Sequence, residues 1–166
     1  MLRQGLLLQG LGPDVRAGTG DVGTVRLMTL QQVRDACPFC EFVLPGRDRP
    51  FLTETLDVVA FEDAYPSAPG HVLVIPKRHV GRVLDLTEEE FDDLWYVARE
   101  QMRILELADP AGYTIGVNDG AAAGQTIAHV HLHIIPRRVG DTREARGGIR
   151  WAIPETAAYW NEPRRS

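Results

Sequence analysis

Three of the five histidines in this 166-residue chain occupy alternate positions of one short apolar stretch, HVHLHIIP, at residues 129–136. In an extended strand, residues two apart lie on the same face, so His129, His131 and His133 are predicted to form one row. The apolar residues between them then face the other side and can pack in a core. A single histidine in such a strand is usually structural, but three in strict alternation favour a chemical role.

A row of imidazoles suits either metal binding or catalysis. A His-x-His pair on a strand offers two ligands to zinc, although a catalytic zinc site also needs a third ligand and a nearby carboxylate base. The loop before the row instead offers Gly124, Gln125 and Thr126, whose backbone amides, side-chain amide and hydroxyl suit phosphate oxygens. An imidazole beside a phosphate site indicates nucleophilic attack on phosphorus.

The two cysteines, Cys37 and Cys40, form a Cys-x-x-Cys pair. In a reducing compartment such a pair indicates metal or redox chemistry rather than a disulfide framework. The alternative is a pair of thiols with no role, because this motif alone is a weak signal.

Composition and charge limit the class of protein. A content of 44% hydrophobic and 25% charged residues is typical of a soluble globular protein, and the length fits one domain. The net charge of −5 argues against general nucleic-acid binding. No apolar run approaches the ~18 residues of a membrane helix, and the apolar stretch at the start is shorter than a signal-peptide core. We therefore expect a cytoplasmic protein that binds neither nucleic acid nor membranes.

The chain divides into a tail and one domain. Residues 1–28, rich in glycine and polar residues, are predicted to be a flexible N-terminal tail, and Met28 is an alternative start. Residues 29–160 are predicted to form a single domain and residues 161–166 a C-terminal tail.

The local patterns predict an α+β fold. A short helix is expected over residues 29–36, ending at Pro38, and strands over 52–63, 71–76, 112–118 and the histidine row. Residues 86–108 predict one long helix that begins with a capping box of Thr87 and Glu90. The predicted apolar face of this helix consists of Phe91, Leu94, Trp95, Ala98, Met102 and Leu105. The strands together favour an antiparallel sheet of about five strands.

The stretch GQTIAHVHLHIIP resembles the signature of the histidine triad (HIT) superfamily. VVAFEDAYPSAPGHVLVIPKRHV is similar to the strand pair that precedes it in that family, and GVNDGAAAGQT to its phosphate loop; the resemblance covers about residues 37–160. It implies the HIT fold and an enzyme acting at the α-phosphate of nucleotide derivatives. Typical substrates are dinucleoside polyphosphates, such as diadenosine tetraphosphate, and nucleoside phosphoramidates.

The resemblance also implies roles for individual residues. His131 would be the nucleophile that carries the nucleotidyl group, His133 would hydrogen-bond phosphate oxygens, and His71 would support the row from the neighbouring strand. Asp63 falls at the position that binds the ribose hydroxyls. The other nucleotide-binding residues implied by the family are Ala64, Asn118, Gly124, Gln125 and Thr126.

Many family members with a Cys-x-x-Cys pair bind a structural zinc ion, and the resemblance implies the ligands Cys37, Cys40, His79 and His129 here. Two thiolates and two imidazoles complete a closed tetrahedral site. All five histidines would then have a role: His79 and His129 would bind zinc, and His71, His131 and His133 would form the catalytic row. No organic cofactor is expected.

We therefore expect a nucleotide hydrolase that acts on AMP-containing substrates through a nucleotidyl-His131 intermediate, and the family implies a homodimer. A phosphorylase or nucleotidyltransferase shares the first half-reaction, so that alternative stays open. A second alternative is a nucleotide-binding protein without turnover.

A basic patch follows the histidine row. Residues 137–150 contain five arginines and two acidic residues, a net charge of +3 in an acidic chain. The patch is either a solvated loop or a contact for the distal phosphates of a polyphosphate through Arg137, Arg138 and Arg146.

Overall fold

The computed structural model describes residues 36–44 and 50–161. The predicted N-terminal tail, the body of the helix predicted over 29–36, and residues 162–166 lie outside these ranges. The helix predicted before Pro38 was expected to end there, but Pro38 is instead the first residue of a helix, α1. A proline is tolerated at the first helical position because the N–H it lacks would have no intrahelical partner there. The α-helices are α1 (Pro38–Phe42), α2 (Glu88–Leu105) and α3 (Pro154–Ala157). The strands are β1 (Thr53–Glu54), β2 (Val58–Glu62), β3 (Val72–Pro76), β4 (Gly112–Val117) and β5 (Leu132–Arg137).

The five strands form one antiparallel sheet in the order β1-β2-β3-β5-β4, which confirms the predicted α+β class. Strand β5 lies between β3 and β4, where His133 is opposite Leu73 on one side and Gly116 on the other. The histidine strand is therefore held by hydrogen-bonded neighbours on both sides. Among the described residues, no helix has both the length and the hydrophobicity to cross a bilayer.

The stretch predicted as one strand over 52–63 folds as two. A turn at Thr55 reverses the chain, because its backbone N–H donates to the Val58 carbonyl (2.9 Å) and its hydroxyl accepts the Val58 N–H (3.0 Å). The same hydroxyl hydrogen-bonds Asp93 of α2, which ties the turn to the long helix. The result is the short edge strand β1, paired with β2.

The capping box predicted for the long helix is confirmed. The Glu90 N–H donates to the Thr87 hydroxyl (3.2 Å), and the Thr87 N–H donates to the Glu90 carboxylate (2.9 Å). After Leu105 the helix tightens into a 3₁₀ turn, Glu106–Ala108, so that the predicted end at residue 108 includes this turn.

The buried face of α2 is rotated from the predicted one. Leu94 and Ala98 of the predicted apolar face are buried, but Phe91 and Trp95 of the same face are 43% and 45% exposed. Val97 and Gln101 are buried instead. The helix rests on the sheet through the row that contains residues 94, 97, 98 and 101, which leaves Phe91 and Trp95 beside the contact.

The sheet separates two apolar clusters. The cluster on the helix side contains Val58, Ala60, Val72, Val74, Val80, Leu94, Val97, Ala98, Val130, Leu132 and Ile134. The cluster on the other side, which we call the histidine face, contains Cys37, Phe39, Cys40, Val59, Phe61, Leu73 and Ile75. Helix α1 covers the histidine face and brings both cysteines there.

Candidate active site

The predicted row of three histidines bends at its start. The His129 N–H donates to the Ile127 carbonyl (2.8 Å), which closes a tight turn, and β5 begins only at Leu132. The His129 ring is fully buried beside the cysteines, whereas His131 and His133 line a cavity with ring centroids 4.9 Å apart. The bend therefore directs one imidazole to a different centre from the other two.

The protonation of His131 is set by a backbone carbonyl. Its Nδ1 lies 2.7 Å from the carbonyl oxygen of His129, which accepts hydrogen bonds and cannot donate them. Nδ1 must therefore carry the proton, and Nε2 keeps a free lone pair. Phe39 packs edge-on against the buried ring at 5.3 Å and fixes its orientation. This is the arrangement that a nucleophilic imidazole requires.

A chain of hydrogen bonds sets the tautomer of His133. The Ser67 N–H donates to His71 Nδ1 (3.1 Å), so the proton of a neutral His71 is on Nε2. His71 Nε2–H then donates to His133 Nδ1 at 3.0 Å. His133 must carry its own proton on Nε2, where it is a hydrogen-bond donor. The two cavity histidines thus differ: His131 offers a lone pair and His133 offers a proton.

Burial keeps the imidazoles of His71 and His133 neutral. Burial, together with the neighbouring His131 and His71, lowers the pKa of His133 to about 4, although the Asp63 carboxylate opposes this effect. Burial also lowers the pKa of His71, although the Asp63 carboxylate, 3.3 Å from its Nδ1, opposes this effect. At neutral pH both rings are uncharged, as the hydrogen-bond chain requires.

The cavity beside the two histidines has a volume of about 440 Å³. Its walls are mainly apolar, formed by Pro38, Phe39, Phe42, Phe61, Leu73 and Ile127. Asp63, Ala64 and Thr126, for which nucleotide binding stays a prediction, also line the cavity, and the Asp63 carboxylate accepts the Tyr65 N–H (2.9 Å). An apolar slot with a few polar groups at one end suits a planar base attached to a polar group.

The phenylalanines of this apolar wall were not among the residues predicted from the sequence to bind the nucleotide. Phe39 and Phe42 lie in the CPFCEF stretch, and Phe61 lies on β2, where large apolar residues are expected in any core. Their position beside the two cysteines was a usable signal, since residues next to a cysteine pair that lies on the histidine face are brought to that face as well.

In the predicted phosphate loop, the groups expected to bind phosphate make hydrogen bonds within the chain. The N–H groups of Gly124 and Gln125 donate to the carbonyls of Ala121 and Gly120 (3.0 and 3.2 Å), and Gly124 adopts a φ of +86°. The Gln125 side chain accepts the Gly120 N–H and donates to the Gly81 carbonyl, so it braces the loop. Asn118 is exposed and lies outside the cavity lining. Binding roles for Asn118, Gly124 and Gln125 stay predictions, and Thr126 is the loop residue that lines the cavity.

The four predicted zinc ligands lie together, with all ligand atoms within 4.8 Å of one another. Cys40 Sγ is 3.1 Å from His79 Nδ1, and His129 Nδ1 is 3.5 and 3.6 Å from the sulfurs of Cys37 and Cys40. Zinc bonds of ~2.3 Å to sulfur and ~2.1 Å to nitrogen give a tetrahedral S–N edge of about 3.6 Å. His129 Nε2–H donates to the Pro76 carbonyl (2.8 Å), so Nδ1 is the ring atom that would bind a metal. The donor set and its geometry fit zinc.

The basic patch is only partly free for a ligand. Arg137 pairs with both carboxylate oxygens of Asp141 (2.7 and 2.8 Å) and also donates to Thr114. The Arg146 guanidinium lies over the Trp160 ring at 4.5 Å. Arg138 is exposed. Two of the three arginines predicted to read distal phosphates therefore make contacts within the chain.

Three features of this chain are typical of a HIT domain. They are an α+β fold with an antiparallel sheet, an apolar slot that suits a nucleobase, and two cavity histidines of which His131 offers a lone pair and His133 a proton. The HIT domain family model matches residues 47–140, more than half of the chain, and the chain belongs to this family.

Three comparisons give the range of similarity. Bis(5′-adenosyl)-triphosphatase of Dictyostelium discoideum is 53% identical over 77 residues, which cover 46% of this chain and 52% of that protein. Adenosine 5′-monophosphoramidase of Candida albicans is 32% identical over 128 residues, which cover 73% of this chain and 81% of that protein. The crystal structure of a HIT family protein from Bacillus anthracis superposes with a TM-score of 0.61 at 27% identity, covering 78% of this chain and 99% of that one. The chain spans about half the length of the first of these relatives.

Proposed function

We propose that this protein is a nucleotide hydrolase that cleaves at the α-phosphate of dinucleoside polyphosphates or nucleoside phosphoramidates through a nucleotidyl-His131 intermediate. The observation that carries the proposal is the 2.7 Å hydrogen bond from His131 Nδ1–H to the His129 carbonyl, which leaves Nε2 as a nucleophile. The similarity to a triphosphatase and a monophosphoramidase supports this substrate class.

In the first half-reaction, the Nε2 lone pair of His131 attacks the α-phosphorus. The bond to the leaving group breaks, and the leaving oxygen or nitrogen takes the electron pair and a proton from solvent. The imidazole becomes positively charged as the P–N bond forms. The His129 carbonyl, already bound to Nδ1–H, stabilises that charge, and His133 Nε2–H donates to a phosphate oxygen.

In the second half-reaction, water attacks the phosphorus from the side of the departed group. The P–N bond breaks, its electron pair returns to Nε2, the water loses a proton to solvent, and a nucleoside monophosphate leaves. Splitting one displacement into two gives water an activated P–N bond to attack.

Nucleoside binding is assigned to the apolar slot. The base would lie between the aromatic and aliphatic walls contributed by α1, β2 and β3, and the Asp63 carboxylate at the mouth would accept hydrogen bonds from the ribose hydroxyls.

The cysteine–histidine cluster is assigned to structural zinc. The ion would hold Cys40 of α1 and Cys37, the residue just before it, against His79 and His129, and so fix the phenylalanines of α1 in the cavity wall. Burial lowers the pKa of His129 to about 4, which favours the neutral imidazole that a metal ligand needs. A reducing compartment, the cytoplasm, would keep both thiols available.

We assign a homodimer to the open edge of the sheet. Strand β4 has β5 as its only neighbour among the described residues, so one side of its backbone has no strand partner. The exposed Phe91 and Trp95 of α2 add apolar surface that a second copy can cover.

The deciding experiment is the isolation of the intermediate. Purified protein mixed with diadenosine tetraphosphate or AMP-phosphoramidate and quenched in alkali, where phosphohistidine-type bonds survive, should gain the mass of one AMP at His131. His131→Asn should show no adduct and a loss of turnover by orders of magnitude, with nucleotide affinity retained. Turnover above a tenth of wild type in His131→Asn would contradict the mechanism.

The same assay separates the alternatives. ADP formation that depends on added inorganic phosphate would identify a phosphorylase. Nucleotide binding with no adduct and no turnover would identify a binding protein.

A further inference from the structure

A second cleft of about 410 Å³ lies on the same side of the sheet as the active site. It is lined by Arg137, Thr142, Arg143, Glu144, Ala145, Gly148 and Trp151. These residues come from the end of β5, the basic segment after it and the 3₁₀ helix Gly148–Ala152. The proposed reaction uses none of them.

The strand register places this cleft at a fixed distance from the reacting centre. Arg137 is four residues after His133 on β5, so both side chains lie on the histidine face and about 13 Å apart. Gly116 of β4 is opposite His133, and Ile149 lies over this glycine, 3.5 Å from where a Cβ would be. The segment that forms the cleft therefore continues up to the catalytic histidine.

The lining offers an aromatic ring and a cation. Trp151 is 39% exposed, and its ring is held in place because Nε1–H donates to the Arg146 carbonyl (2.8 Å). Arg137 is neutralised by Asp141, whereas Arg143 makes no ion pair within the described ranges. Glu144 directs one carboxylate oxygen to the Arg146 N–H. A fixed indole face suits a nucleobase, and a guanidinium suits a phosphate.

We propose that this cleft binds the leaving nucleotide of a dinucleoside polyphosphate, with its base on Trp151 and its phosphates at Arg143. The inference rests on the proposed function, because it assigns the part of the substrate that departs from His131. The first nucleoside fills the apolar slot, the scissile phosphorus lies at His131, and the rest of the phosphate chain passes Gly116 and Ile149 to the cleft.

The test compares affinities in protein that cannot turn over. In a His131→Asn background, calorimetry with diadenosine tetraphosphate and with AMP should show tighter binding of the dinucleotide. Adding Trp151→Ala should weaken diadenosine tetraphosphate binding about tenfold more than AMP binding, as expected for one lost base–aromatic stack. Arg143→Gln should have the same selectivity, and added salt should reduce the effect of this arginine. Ile153→Ala, an exposed apolar change outside the cleft lining, should alter neither affinity.

The outcomes separate the two proposals. Equal losses for both ligands in Trp151→Ala, or no loss for either, would overturn the cleft assignment. Selective loss in Trp151→Ala together with a wild-type protein that forms no adduct would support the cleft and overturn the hydrolase. A circular dichroism melt of Trp151→Ala matching that of Ile153→Ala would show that the C-terminal segment stays folded.

Discussion

A single residue, His129, contacts both the cysteines and the cavity histidine His131. Its ring Nδ1 faces the cysteines, while its carbonyl accepts Nδ1–H of His131 at 2.7 Å and the Gln125 amide at 3.4 Å. Both lone pairs of that oxygen are used, so its position is fixed. The orientation of His131, the proposed nucleophile, therefore depends on the same bend that places the His129 ring beside the cysteines.

His71 is a positioning residue, and its replacement tests the tautomer chain. His71→Phe leaves His133 Nδ1 without its donor, and an unsatisfied buried acceptor costs about 1–3 kcal/mol. We expect kcat to fall about tenfold or more, since His133 no longer keeps its proton on Nε2. Steady-state kinetics on AMP-phosphoramidate would measure kcat and KM separately.

His71→Gln is the matched control for this prediction. Its amide can still donate to His133 Nδ1, so it should recover much of kcat relative to His71→Phe. Equal kcat values in the two variants, with equal melting temperatures, would show that His71 only fills space.

Much of the residue chemistry could be predicted because it depends on local spacing. The alternation of His131 and His133 and the Cys-x-x-Cys pair are visible within a few positions. The Ser67 N–H and the His129 carbonyl carry no side-chain signal, so the tautomers required the structure. The braced Gln125 was equally hidden, because an amide looks the same in sequence whether it binds a ligand or a loop.

At the scale of elements, the short helix α1 contributes side chains to both the cysteine–histidine cluster and the cavity wall. Its five residues contribute Cys40 to the cysteine–histidine cluster and Phe39 and Phe42 to the cavity wall, and Cys37 is the residue just before the helix. An isolated helix of five residues is not stable in water, so tertiary contacts must hold it. A bound zinc ion would supply that restraint.

Loss of a zinc ligand should therefore destabilise the fold without changing the chemistry. Cys37→Ser should hold less than one zinc per chain and melt about 5 °C or more below wild type. The pH optimum should not move, because the cluster donates no group to the reacting atoms. Metal analysis and calorimetric melting would measure both effects.

Chelation provides the control for this variant. Stripping zinc from wild type should lower its melting temperature to that of chelated Cys37→Ser, and the same treatment should lower the melting temperature of the variant by a smaller amount. Freshly purified, unchelated protein that contains no zinc would contradict the assignment.

The elements themselves were predicted unevenly, for physical reasons. The start of α2 was found because a capping box is encoded by two residues three apart, Thr87 and Glu90. The division of residues 52–63 was missed because the turn depends on Thr55 bonding Val58 and Asp93, and one of these partners is 38 residues away. Phe91 and Trp95 were misplaced because helical period alone does not fix which of two adjacent faces meets the sheet.

At the scale of the whole molecule, the position of Pro136 on β5 identifies which N–H groups of β4 point away from β5, towards the free edge of the sheet. Tyr113 is opposite Pro136, which has no N–H, so this pair cannot exchange hydrogen bonds. Because hydrogen-bonded and non-hydrogen-bonded pairs alternate, Thr114 and Gly116 bond to β5, while Tyr113, Ile115 and Val117 point their N–H groups to the open edge. A second copy related by a two-fold axis near Ile115 could pair with this edge along its full length.

Amide hydrogen exchange tests this dimer without any mutation. If β4 pairs with β4 of the partner subunit, the outward N–H groups of Tyr113, Ile115 and Val117 should exchange slowly, by at least tenfold relative to exposed loop amides. They should exchange faster on dilution, because protection then depends on association. The inward amides of Thr114 and Gly116 are the internal control, since β5 protects them in either state. Fast outward exchange at every concentration, together with a sedimentation mass near 18.5 kDa, would show that the chain is a monomer and that its β4 edge is open.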